Sequence, residues 1–139
     1  MKFWQIENLC LESALEQIEL ASSTLLSLLE KNGITDSDLV FTLRLVLHEA
    51  LSNAIIHGNQ EDKNKKVFLR LMLNEDRIVL EVEDEGNGFN YEERQRDEEV
   101  DLLHDGGRGL IILESLLDEL VFKDNGKRVI MTKYLNRGK

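Results

Sequence analysis

Residues 48–58 read His48-Glu49-Ala50-Leu51-Ser52-Asn53-Ala54-Ile55-Ile56-His57-Gly58. They form the end of a predicted apolar helix, which starts at Thr35 and Asp38 as a capping-box-like pair and stops before Gly58. Because Glu49 and Asn53 are four residues apart, a carboxylate and a metal-ligating amide share one helix face. A Glu and an Asn at this spacing are also typical of an ordinary solvated helix face, so this motif alone does not establish a site.

A second motif, Asp84-Glu85-Gly86-Asn87-Gly88-Phe89, directly follows a predicted strand. Gly86 and Gly88 allow a ligand to approach the backbone closely. The carboxylate of Asp84, at the end of the strand, can accept a hydrogen bond from an exocyclic amine. The alternative is a plain turn that leaves the strand.

A third motif, Gly106-Gly107-Arg108-Gly109-Leu110, leads into a helix predicted at about residues 110–120. Glycine N–H groups at a helix N-terminus can bind phosphate, and Arg108 can add a charge-assisted contact. The alternative is a flexible hinge before a helix. The motif lacks the Lys-Ser/Thr ending of a P-loop and the third glycine of a dinucleotide fingerprint, which excludes both of those sites.

The remaining pattern predicts one α/β domain over residues 1–139, built as a two-layer sandwich. Apolar periodicity predicts a first helix, and alternation of apolar and polar residues predicts the strands. A charged stretch lies between the second and third motifs and is expected to be a mobile loop or a closing lid. These elements are a strand at 3–7, the helix at 11–29, strands at 67–73 and 78–83 around a turn at 74–76, the charged stretch at 91–101, and a hairpin of 121–123 with 128–135.

Composition excludes several classes of protein. The formal net charge of −10 argues against direct binding of nucleic acid. No uninterrupted apolar run approaches the roughly 20 residues of a membrane helix, and polar residues interrupt the start of the chain where a secretory signal would be apolar. The single cysteine, Cys10, excludes an internal disulfide. We therefore expect a cytoplasmic protein without a membrane or nucleic-acid partner.

Taken together and in this order, the three motifs resemble the N, G1 and G2 boxes of the GHKL nucleotide-binding superfamily. The resemblance covers nearly the whole chain and is most similar to bacterial anti-sigma-factor kinases of the sporulation and stress-response type. It implies the histidine-kinase-like ATPase fold, a mixed, mostly antiparallel sheet with helices packed on one face. It also implies ATP and Mg²⁺ as cofactors.

The resemblance assigns a role to each motif residue. Glu49 would be the general base for the attacking hydroxyl, Asn53 would ligate Mg²⁺, and Asp84 would recognise the adenine amine. Many relatives carry a threonine near the adenine in the last hairpin, where this chain has Lys127-Arg128, so we assign no nucleotide contact there. The other implied site residues are Gly86 and Gly88 on the adenine side, and Gly107, Arg108 and Gly109 over the phosphates.

The function implied by the resemblance is that of an anti-sigma factor and ATP-dependent serine/threonine kinase. It would bind a sigma factor and phosphorylate an anti-anti-sigma protein of the STAS type. A homodimer is expected, formed by the first helix and the N-terminal strand with the apolar residues Phe3, Trp4 and Ile6. Two alternatives stay open: an ATP-dependent switch or binding module without phosphotransfer, and a detached histidine-kinase-type catalytic domain.

Overall fold

The computed structural model describes residues 3–87 and 105–135, with side chains from residue 110 onward in the second segment. Five strands form one sheet in the order β1-β2-β3-β5-β4, and all four pairings are antiparallel. The strands are β1 (Gln5–Glu12), β2 (Lys66–Leu73), β3 (Arg77–Asp84), β4 (Glu119–Lys123) and β5 (Arg128–Tyr134). The helices are α1 (Gln17–Lys31), α2 (Ser37–Ser52) and α3 (Asp105–Leu116).

The core lies between one face of this sheet and the helices. Strand β2 buries every second residue, as expected for a sheet with one covered face. The helix side is supplied by fully buried leucines of α1 and α2, and α3 adds Leu110 and Leu113. The two-layer α/β sandwich expected from the sequence is therefore confirmed. The fully buried residues on the two layers include Leu71 and Leu80 on the sheet, and Leu25, Leu43, Leu47 and Leu51 on the helices.

The first helix begins later than the sequence predicts. It starts at Gln17, and Leu11, which we placed in the helix, is a fully buried residue near the end of β1. The apolar residues around Leu11 fit both a helical period and the period of two of a strand. The strand forms because β1 pairs with β2 along its whole length, from Gln5 opposite Leu73 to Glu12 opposite Lys66, and such long-range pairing has no signal in the local sequence.

The boundaries of the other two helices also differ from the prediction. The N-cap of α2 is Asp36, not Thr35, and its Oδ1 accepts hydrogen bonds from the N–H groups of Asp38 at 2.9 Å and Leu39 at 3.2 Å. Helix α3 begins at Asp105 and ends at Leu116, whereas we predicted about 110–120. The early start was missed because glycine is a poor helix former.

One described stretch, Ser37–Gly58, is long and apolar enough to cross a membrane by length and composition alone. From the sequence we expected no such stretch because Arg44 and Glu49 interrupt the apolar run. Leu47 and Ile55 within it are fully buried in the core. The core helix of a globular domain also meets this criterion of length and apolar composition. Ser37–Gly58 is such a core helix.

Replacing Asp36 with alanine should lower the free energy of unfolding by about 1 kcal/mol, because two N–H groups at the start of α2 lose their acceptor. Urea denaturation measures this loss. The neighbouring exposed residue Ser37 makes no capping bond, so Ser37→Ala is the matched control and should change stability by less than about 0.5 kcal/mol. Equal losses in the two variants would contradict the capping role.

Candidate functional site

Helix α2 changes to π-helical geometry immediately before the site. The α-helix ends at Ser52, and Asn53–Gly58 forms a π-helical segment in which the N–H of Asn59 donates to the carbonyl of Ala54 at 2.8 Å. The sequence predicts a plain α-helix here, so the wider turn is a finding of the structure. Single π-helical turns are frequent at functional sites.

The two predicted helix residues lie on either side of this transition. Glu49 is half-buried in the last turn of α2, and Asn53, also half-buried, begins the π-helical segment. No hydrogen bond or ion pair to another described residue occupies the side chain of either. Both polar groups are therefore available to a ligand.

Asp84 is a buried carboxylate at the end of β3, with 7% of its surface exposed. Its backbone N–H donates to the carbonyl of Lys127 at 2.9 Å, which ties it to the last hairpin. Its Oδ1 accepts a hydrogen bond from the N–H of Gly86 at 2.9 Å. Among the described residues no donor reaches Oδ2, so one carboxylate oxygen keeps its capacity to accept a hydrogen bond.

Two glycines pack directly against this carboxylate. A Cβ atom built on Gly58 would overlap the carboxylate of Asp84, and one built on Gly86 would overlap the carbonyl of Gly58. No other residue type fits at either position without displacing its neighbours. The end of the π-helical segment and the turn after β3 thus meet at Asp84.

Burial raises the pKa of the Asp84 carboxyl above its usual value of 3.8. The hydrogen bond from Gly86 and the charges of Lys127 and Lys65 act in the opposite direction, and Glu83 raises the pKa further. The folded chain therefore binds this proton more readily than the unfolded chain. In the pH range just above 3.8, Asp84 adds stability as pH falls and costs stability as pH rises. A buried carboxylate with this cost is a candidate functional group.

Asn53 and Asp84 line the same cavity. The space between α2, β3, α3 and the last hairpin measures about 20 Å³, about enough for one water molecule. Polar groups from the first two motifs therefore converge on one small cavity. Its other lining residues are Ala50, Ala54, Val82, Leu113, Phe122, Gly126, Lys127 and Val129.

Larger cavities lie elsewhere on the described part of the molecule, but Glu49, Asn53 and Asp84 line none of them. One, of about 510 Å³, lies on the uncovered sheet face beside Phe68 and Arg70. Another, of about 710 Å³, lies between the start of α2 and β5. Size alone does not identify the site. The convergence of Asn53 and Asp84 makes the small cavity the candidate site.

The remaining predicted site residues are placed as follows. Gly86 is buried against Gly58, as described above. Gly107, Arg108 and Gly109 belong to the first turns of α3 and not to a loop before it, so the third motif is itself a helix start. The N–H groups in the first turn of a helix lack intrahelical partners, which is the property that a phosphate site needs. Gly88 and the charged stretch 91–101 lie outside the described residues.

Three residues at the site were not identified from the sequence. Gly58 contacts Asp84, Asn59 lies fully buried beside it, and Lys127 lines the cavity. From the sequence we placed Gly58 only at the end of a helix, assigned Asn59 no role, and assigned no nucleotide contact in the hairpin that holds Lys127. Its departure from the usual threonine was a signal that could have identified Lys127.

The described residues contain no group of three or more His, Cys, Asp or Glu side chains that could hold a metal ion. His48 is exposed, and its Nδ1 lies 3.5 Å from Ser52 Oγ. A dedicated protein cage is not the usual mode for Mg²⁺, which binds through one or two protein oxygens, substrate phosphates and water. The free amide of Asn53 fits that mode.

Comparison with known proteins agrees with this geometry. The histidine kinase-like ATPase domain family matches residues 11–133. The chain is 37% identical over 129 residues to the serine-protein kinase RsbW of Bacillus subtilis (strain 168), with 87% of this chain and 80% of the relative covered. It is 32% identical over 131 residues to the serine-protein kinase RsbW of Staphylococcus aureus (strain JH9), with 88% and 82% covered.

The family match runs from the end of β1 into β5 and includes Glu49, Asn53, Asp84 and all three motifs. The antiparallel sheet with helices on one face agrees with it. The chain belongs to the histidine kinase-like ATPase domain family.

Proposed function

We propose that this protein is an ATP-dependent serine/threonine protein kinase that binds a sigma factor and phosphorylates an anti-anti-sigma protein. The observation that carries the proposal is the buried carboxylate of Asp84, with one free oxygen, in the same cavity as the free amide of Asn53. The relatives are named as serine-protein kinases. That activity favours a kinase over a nucleotide switch without phosphotransfer or a detached histidine-kinase domain.

Adenine recognition is the proposed role of Asp84. Its Oδ1 already accepts the N–H of Gly86, which leaves Oδ2 for the exocyclic amine. A cavity of about 20 Å³ is far smaller than a purine. The cavity therefore has to widen before the base can enter it. Gly86, and Gly88 beyond the described residues, give the base close access to the backbone.

Phosphoryl transfer is the proposed role of the helix residues. The hydroxyl oxygen of the substrate serine or threonine bonds to the terminal phosphorus of ATP. As this bond forms, Glu49 accepts the proton of that hydroxyl. The bond from that phosphorus to the ADP oxygen breaks, and ADP leaves with the electron pair. Asn53 would hold the Mg²⁺ that neutralises the phosphates. Gly107, Arg108 and Gly109 would cover the phosphates, which the N–H groups of residues 105–108 can bind because the first turn of a helix lacks intrahelical acceptors.

The biological setting follows from the resemblance to anti-sigma-factor kinases. We place the protein in the cytoplasm as one domain over residues 1–139, acting on its two protein partners without direct contact with nucleic acid or a membrane. Incubation of the protein with labelled ATP, Mg²⁺ and the products of neighbouring genes tests the central claim. A partner labelled on serine or threonine is the expected result, and the absence of any labelled partner would contradict it.

Asp84→Asn should weaken ATP binding by about 1–3 kcal/mol, because an amide can present a donor where the adenine amine needs an acceptor. Isothermal calorimetry measures the affinity. Glu83→Gln is the matched control, since it removes the same charge from the adjacent, exposed residue. Equal weakening by both variants would show that net charge, and not recognition by Asp84, governs binding.

Glu49→Ala should keep ATP affinity while phosphotransfer falls by roughly 10²–10⁴-fold, the usual effect of losing an acid/base group. Asn53→Ala should instead weaken the Mg²⁺-dependent part of ATP binding. The two variants are compared by calorimetry and by transfer of label to the partner. If they behave alike in both assays, the two roles are wrongly assigned.

We also propose a homodimer that involves the N-terminal strand and the first helix. Phe3, Trp4 and Ile6 are 73%, 44% and 51% exposed, so they do not pack on their own core. Within residues 3–87 and 105–135, β1 is an edge strand that pairs only with β2. Exposed apolar residues on an unpaired edge favour association.

Light scattering over a range of concentrations should show a dimer that dissociates in the double variant Phe3→Glu/Trp4→Glu. The control is Phe41→Glu, which places one negative charge on another exposed aromatic residue, 66% exposed, on α2. A native chain that stays monomeric at high concentration excludes the dimer. If the double variant stays dimeric, the dimer interface lies on another surface.

A further inference from the structure

Asn59 is a fully buried polar residue immediately after the π-helical segment. Burying an amide costs free energy unless its hydrogen-bonding groups find partners. The family motifs give this residue no role. It lies beside the turn Asp84–Gly86 that follows β3.

Each polar atom of the Asn59 side chain is bonded, and the bonds lead to three separate segments. Nδ2 donates to Ser13 Oγ, between β1 and α1, at 2.7 Å and to the carbonyl of Lys66, at the start of β2, at 2.9 Å. Oδ1 accepts the N–H of Glu85, directly after β3, at 2.8 Å. Ser13 is also buried and donates onward to the carbonyl of Lys65 at 2.6 Å.

The bond to Glu85 acts on the turn that carries Asp84. Glu85 lies between Asp84, which holds the free oxygen, and Gly86, whose N–H binds the other oxygen. The carboxylate of Glu85 in turn accepts the N–H of Lys66. The turn is therefore held at two points, and rotation of the peptide at Glu85 would displace the N–H that orients the Asp84 carboxylate.

We propose that Asn59 is a positioning residue for nucleotide recognition: through the N–H of Glu85 it fixes the turn after β3, so that Oδ2 of Asp84 faces the adenine amine. This inference rests on the proposed ATP-binding function. Asn59 itself does not touch the base. Loss of the Asn59 side chain should therefore weaken the contribution of the exocyclic amine to ATP affinity. The contribution of the phosphates should stay unchanged.

The test compares ATP with purine riboside triphosphate, which lacks only the exocyclic amine. The native protein should bind ATP about tenfold or more tightly, the value of one hydrogen bond to a charged acceptor. In Asn59→Ala the two affinities should approach each other, although the triphosphate still binds with Mg²⁺. Calorimetry gives both affinities, and thermal unfolding gives the stability of each variant.

Two controls separate positioning from stability. Ser13→Ala removes one bond of Asn59 but leaves its bond to Glu85, and should keep the preference for ATP within about twofold of native. Leu28→Ala removes a buried side chain from α1, which lies outside the cavity, and should lower the melting temperature without changing the preference. If Asn59→Ala does not fold, Asn59→Asp retains an oxygen facing Glu85 and should keep more of the preference than Asn59→Leu.

The possible failures are distinguishable. A native protein that does not bind ATP overturns both the proposed function and this inference. A native protein that binds both nucleotides equally removes Asp84 from the adenine site, and Asn59 with it. The positioning role alone is overturned if Asn59→Ala keeps the native preference for ATP over purine riboside triphosphate. It is also overturned if Leu28→Ala loses that preference to the same extent as Asn59→Ala.

Discussion

The carboxylate of Asp84 lies in a space where only glycine fits beside it. Gly58 and Gly86 come from distant parts of the chain, and a Cβ atom on either would overlap its neighbour. This close approach requires the π-helical segment to end against the end of β3. The burial that results raises the pKa of Asp84 and costs free energy at neutral pH. The fold tolerates this cost because the large apolar core between the helices and the sheet stabilises the rest of the domain.

The backbone around the site is irregular on both sides, while the sheet beneath it is regular. Gln60 and Glu61, directly after Asn59, have positive φ angles. Asp124 and Asn125 in the last hairpin also have positive φ angles. Such conformations are unfavourable for non-glycine residues and persist where surrounding contacts hold them. Here the bonds of Asn59 anchor the first turn. In the second, the carbonyl of Lys127 accepts the N–H of Asp84. Both turns are thus joined, through backbone N–H groups, to Asp84 and Glu85 at the end of β3.

The sheet was predictable because β2 buries alternate residues, β3 does so apart from Val79, and that period-2 pattern is visible in the sequence. Helix starts were less predictable. Leu11, Ala14, Leu15 and Ile18 fit a helical period, yet Leu11 belongs to β1 because it pairs opposite Val67. The glycines of the third motif are poor helix formers, yet they begin α3. In both cases contacts between distant segments decide the local structure, and local propensity does not contain them.

The sequence indicated the family because the three motifs, in order, resemble its N, G1 and G2 boxes. It also placed Glu49 and Asn53 on one helix face, because that spacing depends only on local backbone geometry. Tertiary packing was needed to show that Gly58 contacts Asp84, that Lys127 lines the cavity, and that Asn59 joins three segments at the turn after β3. These contacts link residues that are far apart in the chain. Their geometry is set by the packing of helices on the sheet, and no local periodicity encodes it.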